Sequence, residues 1–422
     1  MTNLQIDPPR LLNELRTLAT FSEPPAEGAV QPGDTAVTRI VFTERDREAR
    51  AWLNQLASEA GLTIREDAVG NTFFRWQGSS PDLPAVATGS HIDAIPNAGM
   101  YDGTVGVLGG LEAIRALQSS GFKPVRSIEL ILFTSEEPTR FGIGCLGSRV
   151  MSGTLTAANA ATLRDKDDRT IDQVRRAAGF TESLSSALLA PGHYAKFVEL
   201  HIEQGPILER ENISIGIVTA IAAPASSRIT IQGEGGHAGA LLMPQRRDAL
   251  AAASEIILSV EAAALATGAI DTVATVGMCD VFPGAVNSVP SRVRLSLDVR
   301  DTDEPRRDRV LRAIQQASEA TAAKRHVTIS TKVLNADAPA ACDPEILNAI
   351  EQACTDESIS SQRMVSRAYH DSLFMARICP IAMIFIPCRA GVSHRPDEYS
   401  SPESIAQGTR ILARTLASLS II

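Results

Sequence analysis

Between residues 63 and 205, five short apolar runs (TIRED, NTFFRWQ, PAVATGSH, SIELILFTSEE and KFVELHIEQG) are separated by helix-length blocks such as GTVGVLGGLEAIRALQSSG. Alternation of this kind is the signature of an α/β layered domain built on a central sheet. From about Val218 the texture changes to SSRITIQGEGG, QRRDALAAASEIILSVEAAALATG, TVATVGMCDVFPG, SRVRLSLDVRD, EPRRDRVLRAIQQASEATAAKR and HVTISTKVLNA. This is β-α-β-β-α-β, the order of a small ferredoxin-like sandwich. After about Ala336 helix, strand and helix return, with IAMIFIPCRAG as the obvious buried strand. That last segment is too small for a sheet of its own. The expectation is therefore a discontinuous, mixed-sheet catalytic domain, residues 1–217 and 335–422, interrupted by an inserted lid domain, residues 218–334. Upstream, residues 11–61 read as two helices around the turn-rich segment SEPPAEGAVQPGDTAV.

A chain of 422 residues suits two or three domains, each able to bury a core. With 44% hydrophobic and 21% charged residues it is neither disordered, collagen-like nor coiled-coil throughout. Forty basic against 49 acidic side chains give 40 − 49 = −9. That balance argues against nucleic acid or an anionic membrane as the main partner and leaves a small ligand as the default. The six cysteines lack a CxxC pair or tight spacing, so they read as reduced, mostly buried thiols. The charged N-terminus has no signal-peptide core, and no stretch approaches about 18 uninterrupted apolar residues. The cytoplasm is the expected compartment.

Three of the seven histidines fall at or just beyond the carboxyl end of an apolar run: His91, His201 and His394. Open α/β sheets build their sites there. Asp93, Asp102 and the pair Glu136-Glu137 lie in comparable places. Taken alone, Asp102 could cap the helix that follows, and the glutamates could lie in a solvated loop. A carboxylate pair at a buried strand end is costly unless a cation neutralises it. Imidazole with carboxylate suits Zn²⁺, Mn²⁺ or Co²⁺, and five such ligands suffice for two ions. Metal-assisted hydrolysis is the reading.

GSHIDAIPNAGMYDGTVGVLGGLEAI, TSEEPTRFGIGCLGSR, ELHIEQGPILE, GGHAGALLMPQRRDAL and AGVSHRPDEYSSPE resemble, in order from residue 84 to 403, the motifs of the M20 dinuclear-metal amidohydrolases. That family includes allantoate, N-carbamoyl-L-amino-acid and ureidoglycolate hydrolases. Where most members show HAGTTPM, this chain has Ala240, Leu241 and Leu242, and Tyr369 replaces the usual small residue before His370-Asp371. Both departures are shared with the ureidoglycolate branch.

The resemblance implies that Asp102 bridges two ions, most simply Mn²⁺, with His91, Glu137, His201 and His394 completing the shells. It implies Glu136 as general base, Asp93 orienting His91, and a cis bond between Asp102 and Gly103. Substrate contacts map to Gln204, His237, Asn287, Arg300, Tyr369 and His370, with His237 also serving the oxyanion and Arg300 a substrate carboxylate. The rival role for Arg300 is a salt bridge with Asp298 or Asp301. The lid resembles the family's dimerisation domain, so a homodimer is expected. The implied substrate is a small carboxylated ureide, (S)-ureidoglycolate, with N-carbamoyl-amino-acid or allantoate hydrolysis as the enzymatic alternative and a silent metal-binding scaffold as the remote one. His193 and His326 read as structural or surface residues. Cys145 and Cys388 read as packing residues, and Asp371 either orients His370 or caps the helix after it.

Overall fold

A computed structural model of the chain describes residues 4–25, 31 and 33–421. Residues 26–30 and 32 of the turn-rich segment lie outside the described residues. The chain divides into two compact units: Met1–Thr219, Cys342–Ser366 and His370–Ile422 form one, and Ala220–Ala341 with Arg367–Tyr369 the other. The three-residue return at 367–369 had no signal in the sequence texture.

In the larger unit the strands align in the order Ile215–Ile221, Ile381–Ile386, Tyr194–Ile202, Ala85–His91, Ile128–Phe133, Thr72–Trp76 and Thr63–Glu66. The stretch from Ile381–Ile386 to Ile128–Phe133 is parallel, and the flanking pairs are antiparallel. Every residue of Ala85–His91, Ile128–Phe133 and Ile381–Ile386 is buried, as expected of parallel strands covered on both faces. The helix Thr104–Ser119 carries Gly106, Gly109 and Gly110. A Cβ on Gly106 would stand 2.4 Å from the Leu200 carbonyl oxygen, so only glycine lets the helix backbone lie against the strand Tyr194–Ile202. The helix Pro402–Ser420 packs beside it, started by Ser401 as N-cap and proline in its first turn. The short pair Val37–Arg39 with Ala94–Ala98 and the strand Ser361–Ser366 add to the expected elements.

The smaller unit is an antiparallel sheet ordered Val273–Phe282, Arg292–Asp301, Ala223–Gln232 and Thr328–Ala336. Helices Ala249–Leu265 and Glu304–Arg325 cover one face, burying Ile229, Ile231, Val293, Leu295, Leu297 and Val299 against Ile256, Val260, Val310 and Ile314. The two inner strands alternate buried and more exposed positions, the period-2 pattern of a sheet covered on one side. Strand order and helix placement are ferredoxin-like. No helix among the described residues is long and apolar enough to cross a membrane.

Candidate metal centre

The parallel strands bring their carboxyl ends to one edge of the sheet, and the expected ligands gather there. His91 closes Ala85–His91, His201 stands one residue before the end of Tyr194–Ile202, and Glu136-Glu137 follow Ile128–Phe133. His394 lies in the loop after Ile381–Ile386, at φ +60°. Asp102 occupies the turn ahead of the helix Thr104–Ser119. That helix is capped by Gly103, not by the Asp102 side chain.

Asp102 Oδ1 lies 3.5 Å from His91 Nε2 and 3.2 Å from His201 Nε2, and its Oδ2 lies 3.3 Å from His394 Nε2. Glu137 Oε1 is 3.1 Å from the same His394 nitrogen. Two triads result, His91/Asp102/His201 and Asp102/Glu137/His394, each with its ligand atoms within 4.8 Å of one another. They share Asp102, one oxygen to each side. His91 Nδ1 pairs with the Asp93 carbonyl at 3.0 Å and His201 Nδ1 with the Ile202 carbonyl at 2.8 Å. A carbonyl only accepts, so both Nδ1 atoms carry a proton and both Nε2 atoms face Asp102.

The charges balance only through one another. Burial opposes ionisation of Asp102, but hydrogen bonds from His201, His394 and His91 hold its carboxyl well below the ordinary range. Hydrogen bonds to Asp102 and Glu137 push His394 up to about 11. His91 rises because the negative charge of Glu136 and the hydrogen bond to Asp102 outweigh its burial. Burial, with Glu137, Asp371 and Asp93 nearby, drives Glu136 well above the usual carboxylate range. A pocket of three imidazoles and several buried carboxyls that must borrow protons from one another is a donor set fitted to divalent cations. A third triad, Glu199/His201/His370, meets the same distance test. Its glutamate, however, is already engaged by Ser90 and Ser372.

Glu136 and its surroundings differ from the solvated-loop alternative. Its side chain is 12% exposed, with Oε2 3.7 Å from His91 Nε2. Its Oε1 accepts the Cys145 S–H at 3.3 Å, so Cys145, read as a packing residue, contacts the expected base. Asp93 approaches His91 with its carbonyl, its Oδ1 staying 3.7 Å away. The Asp93 carboxylate instead accepts the amides of Glu136 and Glu137 at 3.1 and 3.0 Å, fixing the glutamate turn. Asp371 neither orients His370 nor caps the helix Asp371–Met375; it accepts the Ser148 hydroxyl at 2.5 Å.

The expected cis bond at Asp102-Gly103 is corrected: among the described residues the cis bond is Phe282-Pro283. The turn is made by Gly103 at φ +67°, where a Cβ would stand 2.4 Å from His91 Nε2. Two residues without a ligand signature in the sequence also meet Asp102. Ser393 donates to its Oδ2 at 2.6 Å, and Glu398 accepts its main-chain N–H at 3.1 Å. Glu398 stands four residues after His394 in the quoted motif, which was its only signal.

Of the expected substrate contacts, the larger unit holds Gln204 and His370. Gln204, at φ +55°, donates to Asp102 Oδ2 at 2.6 Å. His370 is buried, its ring 4.5 Å from that of His201 and its Nε2 3.2 Å from the Ser366 hydroxyl. Burial and the His201 charge depress its pKa well below the usual imidazole value. The smaller unit brings His237 and Asn287 together on a ribbon, where His237 pairs with Ser288 and the Asn287 carbonyl accepts the Ala238 N–H at 2.8 Å. His237 is exposed. Arg300 makes the rival salt bridge, Nε to Asp298 Oδ1 at 2.7 Å, with its guanidinium 5.8 Å from the Tyr369 ring.

The profile of peptidase family M20/M25/M40 matches residues 87–418. The chain is 52% identical to a ureidoglycolate hydrolase of Arabidopsis thaliana, across 100% of this chain and 88% of that protein. It is 39% identical to an N-carbamoyl-L-amino acid amidohydrolase of Geobacillus stearothermophilus, across 96% and 97%. A solved structure of AtUAH in complex with (S)-hydroxyglycine superposes with a TM-score of 0.87 at 51% identity, covering 99% of each chain.

Proposed function

The chain belongs to peptidase family M20/M25/M40, and from that premise we propose that this hydrolase cleaves the ureido C–N bond of (S)-ureidoglycolate. The observation that carries the reading is the higher full-length identity to the Arabidopsis ureidoglycolate hydrolase than to the carbamoyl-amino-acid hydrolase. Hydroxyglycine, present in the similar AtUAH structure, is what remains of ureidoglycolate once its carbamoyl group has left as carbamate. Carbamate decomposes to CO₂ and ammonia, and hydroxyglycine collapses to glyoxylate and a second ammonia.

His91, Asp102, Glu137, His201 and His394 would hold two divalent ions, which when bound supply Lewis-acid charge for the ureido carbonyl and acidify water. Manganese is our assignment, with Zn²⁺ and Co²⁺ suited to the same donors. Glu136 carries the proton: its Oε2 takes it from the attacking water and returns it to the departing nitrogen, while Cys145 holds Oε1. Asp93 keeps Glu136 in place through its amide. Gln204 and His370 orient the ureide. In the smaller unit His237 serves the oxyanion, Arg300 the substrate carboxylate, and Asn287 and Tyr369 the remaining polar and steric contacts.

A homodimer formed through the smaller unit completes the proposal. Exposed Leu258 and Leu265 on the helix Ala249–Leu265, and Met278 and Phe282 on the edge strand Val273–Phe282, support it. Light scattering should give twice the chain mass, and a monomer contradicts it. All six cysteines are free thiols, which supports the cytoplasm as compartment.

The test is ammonia release by the Mn²⁺-loaded protein on ureidoglycolate, allantoate and N-carbamoyl-L-amino acids in parallel. A rate confined to ureidoglycolate, above its spontaneous decay, is expected. Activity confined to the other substrates would overturn the substrate and leave the hydrolase.

A further inference from the structure

Asp102 reaches its two histidine partners on one side and His394 on the other only if its turn and the His394 loop are held in register. Glu398 spans them. Its side chain, in a residue only 4% exposed, accepts the N–H of Tyr101 at 2.8 Å and of Asp102 at 3.1 Å with Oε1, and its Oε2 lies 2.8 Å from the Ser393 hydroxyl oxygen. The same hydroxyl lies 2.6 Å from Asp102 Oδ2. Glu398 also meets the backbone of the turn without spare room, because a Cβ on Gly99 would stand 2.3 Å from Glu398 Cβ and 2.4 Å from its Oε1. Tyr101 and Tyr399 pack edge to face at 6.0 Å beside the clasp.

Two successive main-chain amides bonded to one carboxylate oxygen fix the orientation of the intervening peptide plane, and with it the direction of the Asp102 side chain. Through Ser393 the same carboxylate fixes the residue next to His394. We propose that Glu398 is a positioning residue of the metal centre: it presents Asp102 and His394 to the ions as one preassembled unit. The inference rests on the metal-centre reading above. Removing the carboxylate would leave the amides of Tyr101 and Asp102 without their acceptor and let the turn and the loop move independently. Loss of such an outer partner typically weakens metal affinity about 10- to 100-fold.

The experiment measures Mn²⁺ affinity of the intact protein by competition with a chelator, alongside the melting temperature of the metal-free protein. Glu398→Ala should weaken affinity at least about tenfold, while Glu398→Gln, whose carbonyl can accept from the same two amides, recovers most of it. Gly99→Ala would crowd the same carboxylate and should also weaken affinity. A purely structural role would lower the metal-free melting temperature and leave affinity alone. Affinity within twofold of wild type in both Glu398→Ala and Gly99→Ala overturns the proposal. If Glu398→Ala does not fold, Gly99→Ala decides by the same criterion. Asp102→Asn, run in parallel, separates the two levels. Wild-type affinity in that variant would sink the metal centre itself, whereas its loss of metal with Glu398→Ala unaffected would sink only the clasp.

Discussion

Asp102 is legible in sequence because acids and imidazoles at strand ends have few reasons to be buried together, and the structure gives each of its oxygens an imidazole partner. The residues that tune it are not legible in the same way. Glu398 acts on an amide 296 positions away, and nothing in a linear pattern announces such a bond. Cys145 is a similar case: it sits buried at φ +53°, an unusual conformation for a non-glycine residue, and gives its S–H to Glu136. Cys145→Ala should lower kcat roughly 3- to 10-fold, the worth of one modest hydrogen bond, with KM and metal content unchanged. Cys145→Ser retains a donor and should keep most of the activity. Unchanged kcat in Cys145→Ala would mean that the thiol only fills space.

The elements easiest to read were the fully apolar strands and the glycine-rich helix that lies on them, since burial on both faces leaves an unbroken hydrophobic run. Partly buried pieces such as Val37–Arg39 and Ser361–Ser366 carry no such run. The start of the helix Thr104–Ser119 shows how an element positions chemistry. Gly103 takes φ +67° and ψ −42°, a region closed to other residues, with the His91 ring against its missing Cβ. Gly103→Ala should therefore destabilise the fold by about 2 kcal/mol or more and weaken Mn²⁺ binding, read by thermal melting and chelator competition. Wild-type values in both would show that the turn tolerates a side chain.

At the scale of the whole molecule, stability should depend on pH in a direction set by the metal-binding end of the sheet. His394 is raised to about 11 by its bonds to Asp102 and Glu137, and Asp371 to about 8 by burial. Between pH 7 and pH 9 the metal-free folded chain thus keeps protons that the unfolded chain has released, so its stability falls as pH rises. The metal-free melting temperature should be lower at pH 9 than at pH 7, and Mn²⁺ should restore more at pH 9 because its ligands bind deprotonated. A metal-free melting temperature that climbs over that range contradicts the assignment. The proposed mechanism divides the labour between neighbouring glutamates, with Glu137 as metal ligand and Glu136 as proton carrier. It is tested most directly by the metal content and turnover of Glu136→Gln. Two ions per chain with turnover on ureidoglycolate abolished is the predicted result; loss of metal together with activity would show that base and ligand have been exchanged.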